Sequence, residues 1–300
     1  MTLWAPAKLN LRLRVLGRGE DGYHSIETLF LRLGLADEIT IDQNHTGLEL
    51  ETSGIGDLSD GEDNLCWQAA DMFFRATGRN PAVSIRLIKH IPIAAGLGGG
   101  SSDAATVLLE LNRMYDRPLS PAQLMGLAGD VGSDVPFFIS ETPFALAWKR
   151  GGSLLPLEPP PSRPVLIVVP DFGVMASDAY AWLRADAAGG NSAGVIDPEH
   201  LPAPTELANW DVLRALALND LAAPVFRRHP ELLVVADSLT GCGAEIALLC
   251  GSGACVAGIF STVTQRDTAA DRLLADAVIP ADWHLIATWS DGGEAPEAIG

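Results

Sequence analysis

A chain of 300 residues with 48% hydrophobic side chains is long enough for two domains and apolar enough to give each a core. Its formal net charge of -18 argues against nucleic acid or an anionic membrane as a partner. No window approaches twenty uninterrupted apolar residues, the N-terminus lacks a basic-then-apolar leader, and the four cysteines form no C-x-x-C pair; a cytoplasmic protein with reduced thiols and no zinc site is expected.

Residues 5 to 15, A-P-A-K-L-N-L-R-L-R-V, alternate strictly, which predicts a strand with Ala7, Leu9, Leu11, Leu13 and Val15 on a core face. Lys8, Asn10, Arg12 and Arg14 occupy the other face, which taken by itself reads as a solvated edge. Gly17 to Gly22 breaks this strand, and Tyr23-His24 follows; such a pair either stacks on a planar ligand or packs on the surface. Beyond the apolar run Leu29 to Leu35, residues 38 to 52 read as weakly patterned strands around a polar turn at Asn44 to Gly47. Asn64 caps a predicted helix with apolar positions Leu65, Ala69, Met72, Phe73 and Ala76, and Val83 to Ile88 is a further alternating strand.

That strand leads into I-P-I-A-A-G-L-G-G-G-S-S-D-A-A-T-V-L-L-E-L, residues 91 to 111. Four glycines within five positions end at Ser101-Ser102-Asp103, ahead of a helical pattern with Ala104, Leu108, Leu111 and Tyr115 on one face. The unpaired N–H groups and positive end of such a helix favour an anion, and glycines let the backbone approach it; a phosphate cradle is expected rather than a linker or a plain turn. It is neither of two common phosphate loops, because no lysine follows the glycines and the sixth position of the dinucleotide fingerprint is Ser101. An acidic chain with three lysines, Lys8, Lys89 and Lys149, must place its few cations with care to hold a polyphosphate.

Pro121 opens a helix that ends near Gly129. Asp134 then stands between Gly132-Ser133 and the apolar run Val135 to Ile139, read as a strand; it is either an exposed turn aspartate or a buried carboxylate needing a cation beside it. The proline-rich stretch 157 to 164 marks a domain boundary, dividing the chain into 1–156 and 157–300. Past it come a buried strand at Val165 to Val169 and a long surface loop from Ala185 to Pro204. Helices are expected over 206–218, 220–228 and 230–239, then a hairpin turning at Gly251-Ser252-Gly253, a helix over 264–276 and a strand over 284–288. Asp171-Phe172-Gly173 and Ala295-Pro296-Glu297 match protein-kinase tripeptides by chance, since the catalytic-loop and β3-lysine motifs are absent.

In this order along the chain, P-A-K-L-N-L (6–11), D-G-Y-H (21–24), T-L-F (28–30), E-D-N-L (62–65), G-L-G-G-G-S-S-D-A-A (96–105), D-V-P-F-F (134–138), N-D-L (219–221) and G-S-G-A-C-V (251–256) resemble the GHMP kinases. The first two motifs point to the branch that phosphorylates a cytidine-diphosphate-linked methylerythritol. The resemblance implies an α+β fold of two domains, ribosomal-protein-S5-like then ferredoxin-like, with the active site in the cleft between them. It implies ATP and Mg²⁺ as cofactors, a small-molecule substrate, and transfer to the substrate's 2-hydroxyl. Asp134 would be the base and Lys8 its partner. The segment Pro92-Ile93-Ala94-Ala95-Gly96-Leu97-Gly98-Gly99-Gly100-Ser101-Ser102 would hold the ATP phosphates, with one of the two serines orienting Mg²⁺ or a phosphate oxygen. Asn64 and Lys89 would lie near the adenosine, Asn10 by the reacting hydroxyl, and Tyr23, His24, Phe30 and Tyr180 around the cytosine. Ala94 and Ala95 replace glycines frequent in the family, and Trp148 to Ser153 replaces its G-x-G-E. A homoserine- or mevalonate-type kinase, or a nucleotide-binding member without catalysis, are the competing readings.

Overall fold

The computed structural model describes residues 1–18, 24–44, 47–56, 58–149, 153–188 and 201–290. The first half comprises β1 (Thr2–Arg18), β2 (His24–Gln43), β3 (Gly47–Gly54), α1 (Leu65–Thr77), β4 (Ala82–Lys89), α2 (Gly99–Met114), α3 (Pro121–Val131), α4 (Val135–Ile139), β5 (Phe144–Lys149) and β6 (Ser153–Pro156). The second comprises β7 (Pro164–Val169), α5 (Ala176–Ala188), a 3-10 turn (Pro204–Glu206), α6 (Trp210–Leu216), β8 (Leu218–Asn219), α7 (Ala222–Arg228), α8 (Pro230–Gly241), β9 (Ile246–Leu249), β10 (Val256–Ile259), α9 (Val263–Ala275) and β11 (His284–Trp289).

The first sheet runs β3-β4-β2-β1-β8, with β5 on the other half of β2 and β6 beyond it. At twenty residues β2 is long enough to serve three partners: β1 along its length, β5 over Ile26–Leu31 and β4 over Glu38–Gln43. The expected pair of strands around Asn44 to Gly47 therefore does not pair with itself; β4 lies between, parallel to β3. The second sheet is antiparallel in the order β11-β7-β10-β9, the 4-1-3-2 order of a ferredoxin-like unit. β8 comes from the second half yet pairs with β1, and Leu33 bridges to Ser290, so the two halves are stitched together.

Both faces of β1 are buried. A register shift between Pro6 and Lys8 separates Ala5, packed with α1 and α2, from Ala7, Leu9 and Leu11, packed with Val165, Ile167 and Ile246 of the second sheet. Lys8, Asn10 and Arg12 are 3%, 3% and 2% exposed, so the solvated-edge reading of their face is wrong. β1 is an inner strand, not an edge.

Other elements follow local chemistry. Asn64 caps α1 by accepting from the Cys66 N–H, and Ser120 with Gln123 forms a capping box at α3. Val135 to Ile139 is a single helical segment rather than a strand, with Pro136 in its first turn, where a missing N–H costs nothing. The predicted helix over 206–218 is really the short turn, α6 and the two residues of β8. No pattern in the sequence predicts helix α5, and most of the expected loop from Ala185 to Pro204 lies outside the described residues. Cys66, Cys250 and Cys255 are buried free thiols and Cys242 is a half-buried one. Among the described residues no helix is long and apolar enough to cross a membrane.

Candidate active site

The glycine run makes a turn that only glycine tolerates. Gly96 and Gly98 both have left-handed backbones, at φ 77° and 74°. A Cβ on Gly96 would lie 1.7 Å from the Cys250 carbonyl oxygen, and one on Gly98 would lie 2.9 Å from Lys8 Cε and 3.3 Å from Phe138 Cζ. Gly98 is the residue before α2, so the helix starts at Gly99, earlier than the sequence pattern indicates; Ser101 and Ser102 fall in its first turn and Asp103 opens the second. No side chain caps it. The N–H groups of Gly99, Gly100 and Ser101 have no acceptor among the described residues, which leaves the donors an anion needs. Ala94 adopts φ 53°, a conformation costly for alanine, at the position where glycine was the expected family residue.

The two serines separate clearly. Ser101 is half-buried, its hydroxyl 3.9 Å from where a Gly132 Cβ would stand, beside the segment that carries Asp134. Ser102 is fully buried, and its hydroxyl has no hydrogen-bond partner among the described residues.

Lys8 is brought to this loop by β1. Its N–H donates to the Leu97 carbonyl at 2.9 Å, and its Nζ donates to the Gly96 carbonyl at 2.9 Å and to Asn10 Oδ1 at 2.7 Å. The same ammonium lies 3.4 Å from Asp134 Oδ2 and 5.7 Å from the Phe30 ring centre. Asp134 precedes α4 without capping it, so its carboxylate, 26% exposed, is left facing the cleft. Asn10 is held in turn, its Nδ2 donating to Thr28 Oγ1 at 2.8 Å.

A cleft of about 160 Å³ opens onto this group, lined among others by Lys8, Asn10, Gly96, Gly98, Asp134, Tyr180 and Ser252. Among the described residues lining it, Lys8 is the one cation. Tyr180 arrives on α5, and burial, with the Asp134 charge adding to it, pushes its hydroxyl up to about 12. Leu13, Ile26, Leu221 and Ser252 also line the cleft and had no signal of their own in the sequence beyond the turn and N-D-L motifs. A larger hollow of about 760 Å³, between the N-terminal strand and α2–α3, contains none of these residues.

Of the remaining candidates, Phe30, Asn64 and Lys89 are committed to contacts within the protein. Phe30 is fully buried and stacked on Phe137 at 4.8 Å beneath Lys8; it cannot bracket a ligand and instead supports the lysine from below. Asn64 spends its side chain on Cys66 N–H and the Ser59 carbonyl. Lys89, 4% exposed, holds the carboxylates of Asp37 and Asp103 under the loop, while Asp37 Oδ1 accepts from the N–H groups of His90 and Ile91 at 2.6 and 2.8 Å. Burial raises Asp103 to about 8, against the pull of Lys89; burial acts to lower Lys89, but its contacts with Asp103 and Asp37 outweigh it and raise the ammonium. Tyr23 and the His24 side chain, like the segment 150–152 within the divergent Trp148 to Ser153 stretch, lie outside the described residues.

Residues 64–142 match the GHMP kinases N terminal domain. The 4-diphosphocytidyl-2-C-methyl-D-erythritol kinase of Geobacter sp. (strain M21) is 38% identical over 91% of this chain and 94% of its own. That of Anaeromyxobacter dehalogenans (strain 2CP-C) is 42% identical over 85% and 79%. A crystal structure of 4-(cytidine 5'-diphospho)-2C-methyl-D-erythritol kinase superposes with a TM-score of 0.77 at 33% identity, covering 98% of this chain and all of the other. A homoserine kinase from Cytophaga hutchinsonii shares the fold, at a TM-score of 0.67 and 15% identity. Relatives this similar over nearly the whole length, joined to a glycine cradle facing a lysine–aspartate pair, show that the chain belongs to the 4-diphosphocytidyl-2-C-methyl-D-erythritol kinases of the GHMP superfamily.

Proposed function

We propose that this chain transfers the γ-phosphoryl group of ATP to the 2-hydroxyl of 4-(cytidine 5'-diphospho)-2-C-methyl-D-erythritol, giving the 2-phosphate and ADP in cytoplasmic isoprenoid-precursor biosynthesis. The observation that carries this reading is the Lys8–Asp134 pair, 3.4 Å apart, held against the mouth of the glycine loop. Phosphoryl transfer asks for positioning, charge stabilisation and an acceptor for the hydroxyl proton. The N–H groups from Gly99 to Ser101 bind phosphate oxygens. Asp134 takes the proton of the attacking hydroxyl. Lys8 pairs with that carboxylate at 3.4 Å and faces the charge spreading over the transferred group. Asn10, fixed by Lys8 and Thr28, orients the hydroxyl, and Tyr180, on the wall of the same cleft, contributes to the cytidine side.

Mg²⁺ suits this donor set. The half-exposed Ser101 hydroxyl and the Asp134 carboxylate are oxygen ligands of the kind it takes. Among the described residues no group of three or more His, Cys, Asp or Glu is arranged to cage a metal by protein alone. Ser101 and Asp134 would therefore hold an ion carried chiefly by the nucleotide. Such an ion supplies neutralising charge on the phosphates.

ADP release measured with the cytidyl substrate, homoserine and mevalonate should show turnover with the first alone, competitively inhibited by CMP. Turnover of homoserine or mevalonate, without CMP inhibition, refutes the assignment. Asp134→Asn should lower kcat by roughly 100-fold or more, the scale of lost general-base catalysis, and Lys8→Ala should reduce kcat more than it weakens ATP binding.

A further inference from the structure

Asn219 and Asp220 take no part in the chemistry just described, yet both are tied into the fold by several hydrogen bonds. Asn219, 7% exposed, donates its side-chain amide to two carbonyls, Gly251 at 2.6 Å and Leu249 at 2.9 Å, and its Oδ1 accepts from the Leu221 N–H at 2.9 Å. Asp220 ties the same dipeptide to β1: its N–H donates to the Leu13 carbonyl at 2.9 Å, and its Oδ2 accepts from the Val15 N–H at 2.7 Å. Leu218 and Asn219 also pair in parallel with Arg12 and Leu13.

These bonds complete a ring. Asn219 grips the carbonyls on either side of Cys250. The Cys250 carbonyl fills the space a Gly96 side chain would need, 1.7 Å from the Cβ position. The Gly96 carbonyl receives Lys8 Nζ at 2.9 Å, and Lys8 stands on the strand to which Asp220 is bound. With both amide hydrogens and its oxygen bonded, the buried Asn219 side chain holds the turn firmly, and its removal would take a donor from both carbonyls.

We propose that Asn219 and Asp220 are positioning residues for phosphoryl transfer, closing a ring of contacts from β1 through the Gly251 turn and the glycine loop back to Lys8 and Asp134. The inference rests on the reading of Lys8 and Asp134 given above. It predicts that loosening the ring harms the chemical step more than substrate binding, because what changes is the relative placement of loop, ammonium and carboxylate.

The test is steady-state kinetics on Asn219→Ala, Asp134→Asn and their combination, with the folded fraction of each fixed by melting. In the otherwise native enzyme Asn219→Ala should lower kcat roughly 10- to 100-fold, as a displacement on the order of 1 Å does, and leave KM for the cytidyl substrate within about twofold. In the Asp134→Asn background the same change should cost less than about threefold, since the geometry it protects is already idle. A purely structural asparagine gives the same loss in both backgrounds, and that result overturns the proposal, as does an unchanged kcat in folded Asn219→Ala. Should Asn219→Ala fail to fold, Asp220 decides: Asp220→Ala must lower kcat, and Asp220→Asn, which keeps an oxygen for the Val15 N–H, must recover most of it. If Asp134→Asn alone retains full turnover, the reading of the site fails and this inference with it; if Asp134→Asn is slow but the losses multiply, only the ring fails.

Discussion

Replacing Gly96 by alanine puts one methyl group where the two halves of the molecule meet. The added Cβ would lie 1.7 Å from the Cys250 carbonyl oxygen, while contacts under 3.0 Å essentially never occur, so loop and turn must part by at least about 1.3 Å. The clash is with backbone and cannot be relieved by turning a side chain. Two costs combine: roughly 1–2 kcal/mol for an L-residue in the left-handed region, and about 1–3 kcal/mol for overpacking. A stability loss of about 2–5 kcal/mol is expected, a large share of a typical 5–15 kcal/mol total. Because the Gly96 carbonyl also receives Lys8 Nζ, the shift reaches the ammonium, and kcat should fall by on the order of 100-fold. Urea titration read by far-UV circular dichroism gives the first quantity, and ADP release well below the melting temperature gives the second. Gly126→Ala is the control: nothing lies within 4 Å of its added Cβ in α3, and it should stabilise the protein by about 0.5–1 kcal/mol. A Gly96→Ala protein with native stability and native turnover would show that the two halves do not press on each other here.

Burial raises the Asp103 carboxyl to about 8, against roughly 3.9 in an unfolded chain, so between those values the folded state binds the extra proton and stability falls as pH rises. Asp103→Asn should flatten that fall in urea midpoints taken across the window, whereas Asp37→Asn should cost about 3 kcal/mol or more at neutral pH by breaking the buried pair with Lys89. Asp186 has the opposite sign: hydrogen bonds from Arg228 and Arg227 lower it to about 2, so its contribution is present above the unfolded value and disappears as pH falls through about 2. Asp186→Asn should therefore bring acid unfolding on at higher pH, with the loss of α5 helicity as the measure.

What the sequence made legible was local. The alternation of β1, the Asn64 cap and the run of glycines before α2 each state their chemistry within a few residues. What it hid was partnership across long separations. The packing of Lys8 depends on Gly98, which has no side chain to displace it, and the need for glycine at 96 depends on a carbonyl 154 positions later. Phe30 has the composition of a ligand-stacking aromatic, but pairing with β5 and stacking on Phe137 take it out of reach. Val135 to Ile139 is too short an apolar run to show a period, so strand and helix were indistinguishable there. Helix α5 left no amphipathic trace because Ala179 is its one buried residue among those described.

The acidity of the chain poses a question that the site answers in a testable way. Of its three lysines, Lys8 and Lys89 are both engaged inside the fold, Lys8 with Asp134, Asn10 and Gly96, Lys89 with two buried carboxylates. On the function proposed above, phosphate charge would be met mainly by backbone N–H groups and by the nucleotide's own cation, while the net charge of -18 repels an incoming anion. A lysine-rich phosphate site loses affinity as salt rises. Here salt screens a repulsion, and the sign should reverse. Raising ionic strength from about 0.01 M to 0.15 M shortens the Debye length from roughly 30 Å to 8 Å, so kcat/KM for ATP, measured at fixed free Mg²⁺, should hold level or rise. A fall of about tenfold over that range would mean that side-chain cations grip the phosphates after all, and the backbone cradle would lose its place as the principal anion site.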